Sequence, residues 1–124
     1  MQSPINSLHA GKEGEDIAKR FLEANGYSIV DCNWRIGKLE IDIVARCGDT
    51  IVFVEVKTRA GTDFGEPESF VNPAKQKHLI KAANAYLLER NINLEARFDI
   101  IAVLKNNNSH TVKHLPDAFR AWVR

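Results

Sequence analysis

Apolar and polar positions along the chain follow two different periods, and the switch between them marks out the elements. Over residues 8–25 the spacing is helical. Gly11, Gly14, Ala18, Phe21, Leu22 and Asn25 share one side of the wheel, with Lys12, Asp16, Arg20 and Glu23 on the other. Gly26 follows as a helix stop, being free to take the left-handed conformation that closes a helix. The period then shortens to that of strands over residues 27–36, 39–46 and 51–59. The second and third strands are rich in Ile, Val and Phe and flank Cys47-Gly48-Asp49-Thr50, a strong hairpin signal. Residues 60–72 lose the periodicity and carry Gly61, Gly65 and Pro67, as a loop does. Asn72-Pro73 reads as N-cap and first helical residue, opening a helix with an apolar stripe of Leu79, Ala82, Ala83, Tyr86 and Leu87. A fourth strand over 97–105, an Asn-rich turn, a short strand near 111–115 and a terminal helical turn from Pro116 complete the pattern. The order is α-β-β-β-α-β with a β-α tail. A helical crossover between the third and fourth strands allows them to lie parallel, so an α/β fold with a mixed sheet is expected.

Size and charge narrow this picture. The 124 residues suit one domain spanning 1–124, long enough to bury a core without disulfide or metal staples. With 44% hydrophobic and 27% charged residues the composition is that of a soluble globular protein. Lys plus Arg total 17 against 16 for Asp plus Glu, a net charge of +1. That excludes the strongly basic class of nucleic-acid binder. Attraction to a polyanion must come from local patches, or from cations held by acidic residues. Cys32 and Cys47 lack zinc-type spacing, and His9, His78, His110 and His114 are scattered; His110 and His114 stand four apart, but on what reads as strand. No zinc site is expected. The first eight residues lack the apolar core of a signal peptide and no stretch could span a membrane. The expectation is a reducing cytoplasm, with both cysteines as free thiols.

The candidate chemistry lies in the hairpin. If Gly48 and Asp49 form its turn, Cys47 faces Thr50, Asp42 faces Glu55 and Glu40 faces Lys57. Facing residues of an antiparallel pair point to one side of the sheet, with Cβ atoms ~5 Å apart. Alternation along the third strand brings Glu55 and Lys57 to that side too. Two acids facing each other on otherwise apolar strands destabilise the sheet unless a cation lies between them. Hard carboxylate oxygens suit Mg²⁺, which keeps several waters and accepts a phosphate as a further ligand. One such water, made acidic by the metal, can serve as a nucleophile, and Lys57 is placed to orient it or stabilise charge on the phosphate. The competing reading is a solvated strand face with cross-strand Glu-Lys pairs, and an isolated E-x-K favours it. The acid-acid juxtaposition argues against it, provided the register does not slip by one residue.

Several other residues bear on the same site. Glu15 leans toward the apolar side of the first helix beside Leu22, and an inward carboxylate needs a partner. That partner is a metal, directly or through water, or a Lys or Arg; the helix dipole also favours a first-turn acid. Lys75 and Gln76, in the first turns of the second helix, lean toward the sheet, where they could contact phosphate or the attacking water; a plain surface role is an equal reading. Trp34 and Arg35 could stack on or grip nucleic acid, although a Trp at a strand end is more often core. Thr58 and Arg59 continue out of the third strand toward phosphate, and the loop after them is where a substrate-contacting segment would lie. Asp99, on an apolar strand, reads as a structural acid paired with Arg97.

Asp42, twelve intervening residues and then Glu55-Val56-Lys57 resemble the PD-(D/E)xK motif of restriction-endonuclease-like nucleases, with Ile41 in place of the frequent proline. The resemblance extends to the YraN-like uncharacterised bacterial proteins, which are similar to archaeal Holliday-junction resolvases. It is carried by Gly11-Lys12-Glu13-Gly14-Glu15, Asn33-Trp34-Arg35, Glu40-Ile41-Asp42, residues 52–59, Phe64-Gly65, Lys75-Gln76 and Arg97-Phe98-Asp99, in that order. Leu39 stands where the family commonly has Gly. The resemblance implies a three-layer α-β-α restriction-endonuclease-like fold with a central mixed sheet. It further implies Asp42 and Glu55 as metal ligands, the Val56 carbonyl as a backbone ligand, Lys57 as catalytic lysine and Glu15 as an additional helical acid. The implied function is a Mg²⁺-dependent endonuclease, with Mn²⁺ as substitute, acting on DNA that is branched or otherwise structured. RNA remains open as a substrate, and two scissile phosphates at a junction would call for a homodimer. Two other classes compete: a nucleic-acid-binding module that does not cut, and an interaction protein whose acids only satisfy buried lysines.

Overall fold

A computed structural model describes residues 4–60 and 72–120, with side chains from residue 11 onward. Helix α1 covers Pro4–Ala24, starting earlier than the periodicity suggests, with a proline at its first position. It ends as expected. Gly26 adopts φ 90°, the Gly26 N–H donates to the Glu23 carbonyl at 3.1 Å, and the Tyr27 N–H reaches back to Leu22 at 3.0 Å. These bonds satisfy carbonyls that the helix end would otherwise orphan. Strands β1 (Ser28–Ile36), β2 (Leu39–Cys47) and β3 (Thr50–Ala60) follow. Helix α2 (Pro73–Arg90) is capped by Asn72, whose side chain accepts the Lys75 N–H at 2.9 Å. Strands β4 (Glu95–Asn106) and β5 (Ser109–Phe119) complete the described chain.

The five strands lie in the spatial order β1-β2-β3-β4-β5, antiparallel except for the β3–β4 pair. That pair is parallel because α2 carries the chain back between them. Alternation along each strand feeds two cores. Ile43, Ala45, Val52, Val54, Ile101 and Val103 face Ile17, Ala18 and Leu22 of α1. Val44, Ile51, Phe53 and Phe98 face Leu79, Ala82, Ala83 and Tyr86 of α2. The helices therefore cover opposite faces of a mixed sheet, which is the α-β-α layering.

One element departs from the sequence pattern. Pro116 opens no helical turn; it lies within β5, which runs on to Phe119. Between Phe98 and Ile100 the β4–β5 register shifts. There Asp117 takes φ 53° and donates its N–H to Asp99 Oδ1 at 3.0 Å. β5 is an edge strand, where a proline without an N–H removes no ladder bond that matters, and the irregularity absorbs its ring. The loop expected after Lys57 and the Phe64-Gly65 pair fall at residues 61–71, outside the described residues.

Candidate active site

The site begins with a break in alternation. Along β2, Ile43 and Ala45 point to the α1 layer and Val44 to the α2 layer, yet Ile41 also joins the α2 layer. Asp42 stands at that break. The β1–β2 ladder passes from Cys32↔Ile43 to Trp34↔Ile41, so Asn33 lies across from Asp42. Asn33 has φ 51°, in the left-handed region that Asn tolerates better than most residues. The twist turns Trp34 toward α2, where its ring meets Tyr86 edge-on with centroids 5.2 Å apart. Trp34 is thus a packing residue.

The same break ends the β2–β3 ladder. Cys47 faces Thr50, as the hairpin predicts, and the pairing continues only to Ile43↔Val54. Beyond it β2 leaves β3, and Asp42 Oδ2 accepts the Val56 N–H at 2.8 Å in place of a backbone partner. Consequently Asp42 is not the ladder partner of Glu55 that the hairpin register predicts, and Glu40 does not face Lys57. It pairs with Arg35 across β1, with Arg35 Nη2 3.3 Å from Glu40 Oε2. Arg35 is exposed and lines neither cleft at the acids, so the structure does not bring it to the site.

Asp42 and Glu55 stand where two clefts meet. The cleft on the α1 side, of about 620 Å³, adds Gly11, Glu15, Val56, Lys57, Thr58, Arg59, Ala60 and Lys105. The cleft on the α2 side, of about 350 Å³, adds Lys38, Glu40, Asn72, Ala74, Lys75, His78 and Leu79. Lys57 Nζ lies 3.3 Å from Glu55 Oε2 and Lys75 Nζ 3.7 Å from the same oxygen. Gln76 is half-buried beside Lys75 but lines neither cleft. Among the residues anticipated from the sequence, Glu15, Asp42, Glu55, Val56, Lys57, Thr58, Arg59 and Lys75 are brought together; Arg35 and Gln76 are not. Lys38, His78 and Lys105 also line the clefts, and no local pattern marks them, because separate elements deliver them. Lys105 is ion-paired with Glu13 of α1.

Electrostatically the centre disfavours two ionised acids side by side. Burial pushes the Asp42 carboxyl up to about 7, and the neighbouring Glu55 adds to the shift. The Val56 N–H opposes it, while Glu15 and Glu40 reinforce it. Among the described residues no basic side chain forms an ion pair with Asp42, whereas Glu55 has two lysines. Burial and the adjacent Lys75 push Lys57 below the usual lysine range, against the pull of Glu55. Lys75 is raised by its hydrogen bond to Lys57, against burial and with help from Glu55. The donor set is oxygen only, which suits a hard cation. Among the described residues no three Asp, Glu, His or Cys side chains enclose a metal position. An ion here would draw on two carboxylates, a backbone carbonyl and water, which is how Mg²⁺ is commonly held.

Asp99 is fully buried and structural, as its sequence setting suggests. It accepts two bonds from Arg97, at 2.9 and 2.7 Å, and stands 2.7 Å from His114 Nε2.

A mixed five-stranded sheet between two helices, with acids at the divergence of β2 and β3, is the restriction-endonuclease-like fold. The chain shares this fold with the Holliday junction resolvase of the archaeal hyperthermophile Archaeoglobus fulgidus, at TM-score 0.50 and 17% identity over 85% of this chain and 75% of that one. The chain belongs to the uncharacterised protein family UPF0102, whose model matches residues 14–103. A UPF0102 protein of Flavobacterium psychrophilum is 50% identical over 109 residues, covering 88% of this chain and 92% of that protein. One from Syntrophotalea carbinolica is 45% identical over 113 residues, covering 90% and 92%.

Proposed function

We propose that the protein is a Mg²⁺-dependent endonuclease that hydrolyses phosphodiester bonds in branched or structured DNA. One observation carries the reading. Asp42, with its raised carboxyl, and Glu55 share a cleft with Lys57 at the divergence of β2 and β3, and no described basic group forms an ion pair with Asp42. Likeness of fold to a resolvase supports it, and the reading that the acids serve only to satisfy lysines leaves Asp42 unexplained.

In this reading Asp42, Glu55 and the Val56 carbonyl would hold the ion, with Glu15 of α1 as an additional acid on the same cleft. Mg²⁺, or Mn²⁺ in its place, would supply charge neutralisation on the phosphate and an acidified water. Lys57, lowered below the usual lysine range, holds or releases a proton at Nζ near the attacking water and offers charge to the phosphate. Glu55 keeps that amine in place from 3.3 Å. Thr58 and Arg59 extend from the same strand along the α1-side cleft, where a phosphate backbone would lie, and Lys75 guards the opposite side. A junction carries two scissile phosphates, so paired cutting calls for two copies of the chain. Both cysteines are free, which suits the reducing cytoplasm proposed as its compartment. Among the described residues no helix is long and apolar enough to cross a membrane.

The test is cleavage with Mg²⁺ or Mn²⁺ on single-stranded, duplex and four-way-junction DNA and on RNA, alongside Asp42→Ala and Lys57→Ala. Cutting of the junction that both variants abolish supports the proposal. Binding without cutting would favour a non-cleaving nucleic-acid-binding protein instead. Loss of both binding and metal uptake would leave only the interaction-protein reading.

A further inference from the structure

The α2-side cleft contains hydrogen-bond donors that the chemistry just described does not use. Lys38 arrives on the β1–β2 turn and His78 from the second turn of α2, and both are exposed at the mouth of the cleft above Asp42 and Glu55. The acids around them are already engaged. Glu40 is held by Arg35 at 3.3 Å, and Glu55 contacts Lys57 and Lys75. The Asn72 side chain is committed to capping α2. Neither Lys38 nor His78 makes an ion pair or a hydrogen bond among the described residues. Two separate elements thus deliver two uncommitted donors to one opening beside the acid pair.

We infer that this cleft is a second phosphate subsite, in which Lys38 and His78 hold the backbone phosphate next to the one presented to Asp42 and Glu55. The inference rests on the nuclease reading and deepens it by giving the substrate a path. One nucleic-acid strand enters past Lys38 and His78, crosses the acid pair, and leaves along Thr58 and Arg59 in the α1-side cleft. Both ends of that path carry donors, and its centre is acidic until a cation is bound. Contact with backbone phosphates rather than base edges makes the subsite indifferent to sequence. A chain of net charge +1 can therefore still grip a polyanion, because Lys38 and His78 place donors at one opening beside the acid pair.

Salt dependence of binding tests this directly. A labelled single strand and a labelled four-way junction are titrated in Mg²⁺ across a range of KCl, with Lys57→Ala as the common background so that cleavage does not consume the probe. Adding Lys38→Ala should weaken binding of both probes several-fold and reduce the salt slope by about 1, the signature of one lost phosphate contact. His78→Ala should weaken both probes as well, Lys38→Arg should keep the slope, and Lys81→Ala, an exposed lysine of α2 outside the cleft, should change nothing. All these side chains are exposed, so circular dichroism should show an unchanged fold. If the background binds and wild type cuts, yet Lys38→Ala and His78→Ala keep both affinity and slope, the subsite is wrong while the nuclease reading stands. If the background and wild type bind neither probe and wild type cuts nothing, the nuclease reading falls and the subsite falls with it.

Discussion

Asp42 is expensive to keep ionised in the metal-free protein, because burial and Glu55 both favour its protonated form. Its folded-state pKa, about 7, lies above the unfolded carboxyl value, so the folded state binds the extra proton. The associated stability is fully present below about pH 4 and is lost as pH rises through about 7. With chelator present, wild type should therefore melt lower at pH 8 than at pH 6, and Asp42→Asn should flatten that slope while melting about 3–6 °C higher at pH 8. Mg²⁺ should raise the wild-type melting temperature at pH 8 and leave that of Asp42→Asn unchanged; equal Mg²⁺ responses would remove Asp42 from the metal site. Lys57 calls for a kinetic measurement. Lys57→Ala should lower kcat by about 10²–10³-fold with DNA affinity changed far less, as expected for a group acting on the reacting water. A variant that loses affinity and keeps kcat would make Lys57 a binding residue.

Among the elements, the approach of α1 to β3 sets the shape of the α1-side cleft. Gly14 is buried against Thr58, and a Cβ there would overlap Thr58 Oγ1 and come within 3.2 Å of its Cβ. Gly14→Ala should cost about 2 kcal/mol through this overlap. Most of the loss should return in the double variant with Thr58→Ala, while Thr58→Ser, which retains the hydroxyl, should not rescue; additive losses in chemical denaturation would rule out the contact. On β4, Asp99 ties the edge strand to the sheet through His114 and the Asp117 N–H, while Arg97 of the same strand also bonds its carboxylate. Burial alone would raise its carboxyl, but the His114, Arg97 and Asp117 hydrogen bonds outweigh burial and hold it below the usual range. That stability is present above the unfolded pKa near 4 and is lost as pH falls through the depressed folded value. Asp99→Asn should cost about 3 kcal/mol at pH 7, by leaving Arg97 without its anion, and should lose less further stability on acidification than wild type. An unchanged acid limb would mean that other carboxylates govern acid unfolding.

For the whole molecule, the proposed reaction constrains stoichiometry. One chain offers one acid pair, and a four-way junction offers two symmetry-related scissile phosphates. Sedimentation of the junction complex should show two chains per junction, with paired incisions in opposing strands. A single chain that cuts both strands would require a site outside the one described. The clefts also meet at the end of the sheet where β2 and β3 part, so substrate can span both helical layers without disturbing either core.

The sequence by itself determined the elements and the heart of the site. Helical and strand periods, the Asn72 cap, the Gly26 stop and the Gly48 turn are local, and hairpin geometry carries register from Cys47 and Thr50 as far as Ile43 and Val54. Asp42, Glu55 and Lys57 were legible by residue type on the two strands of that hairpin, although the ladder stops one pair before Asp42 and Glu55 would face each other. The rest depended on contacts between residues distant in the chain. The β2–β3 ladder ends at Ile43 and Val54, before Glu40 can face Lys57, and the Asp117 N–H bonds Asp99 where β5 runs on past Pro116. Lys38 and His78 converge only because the α2 crossover brings the helix back over the hairpin. The acid pair was written in the strands; the two clefts that reach it from opposite layers of the sheet were decided by packing alone.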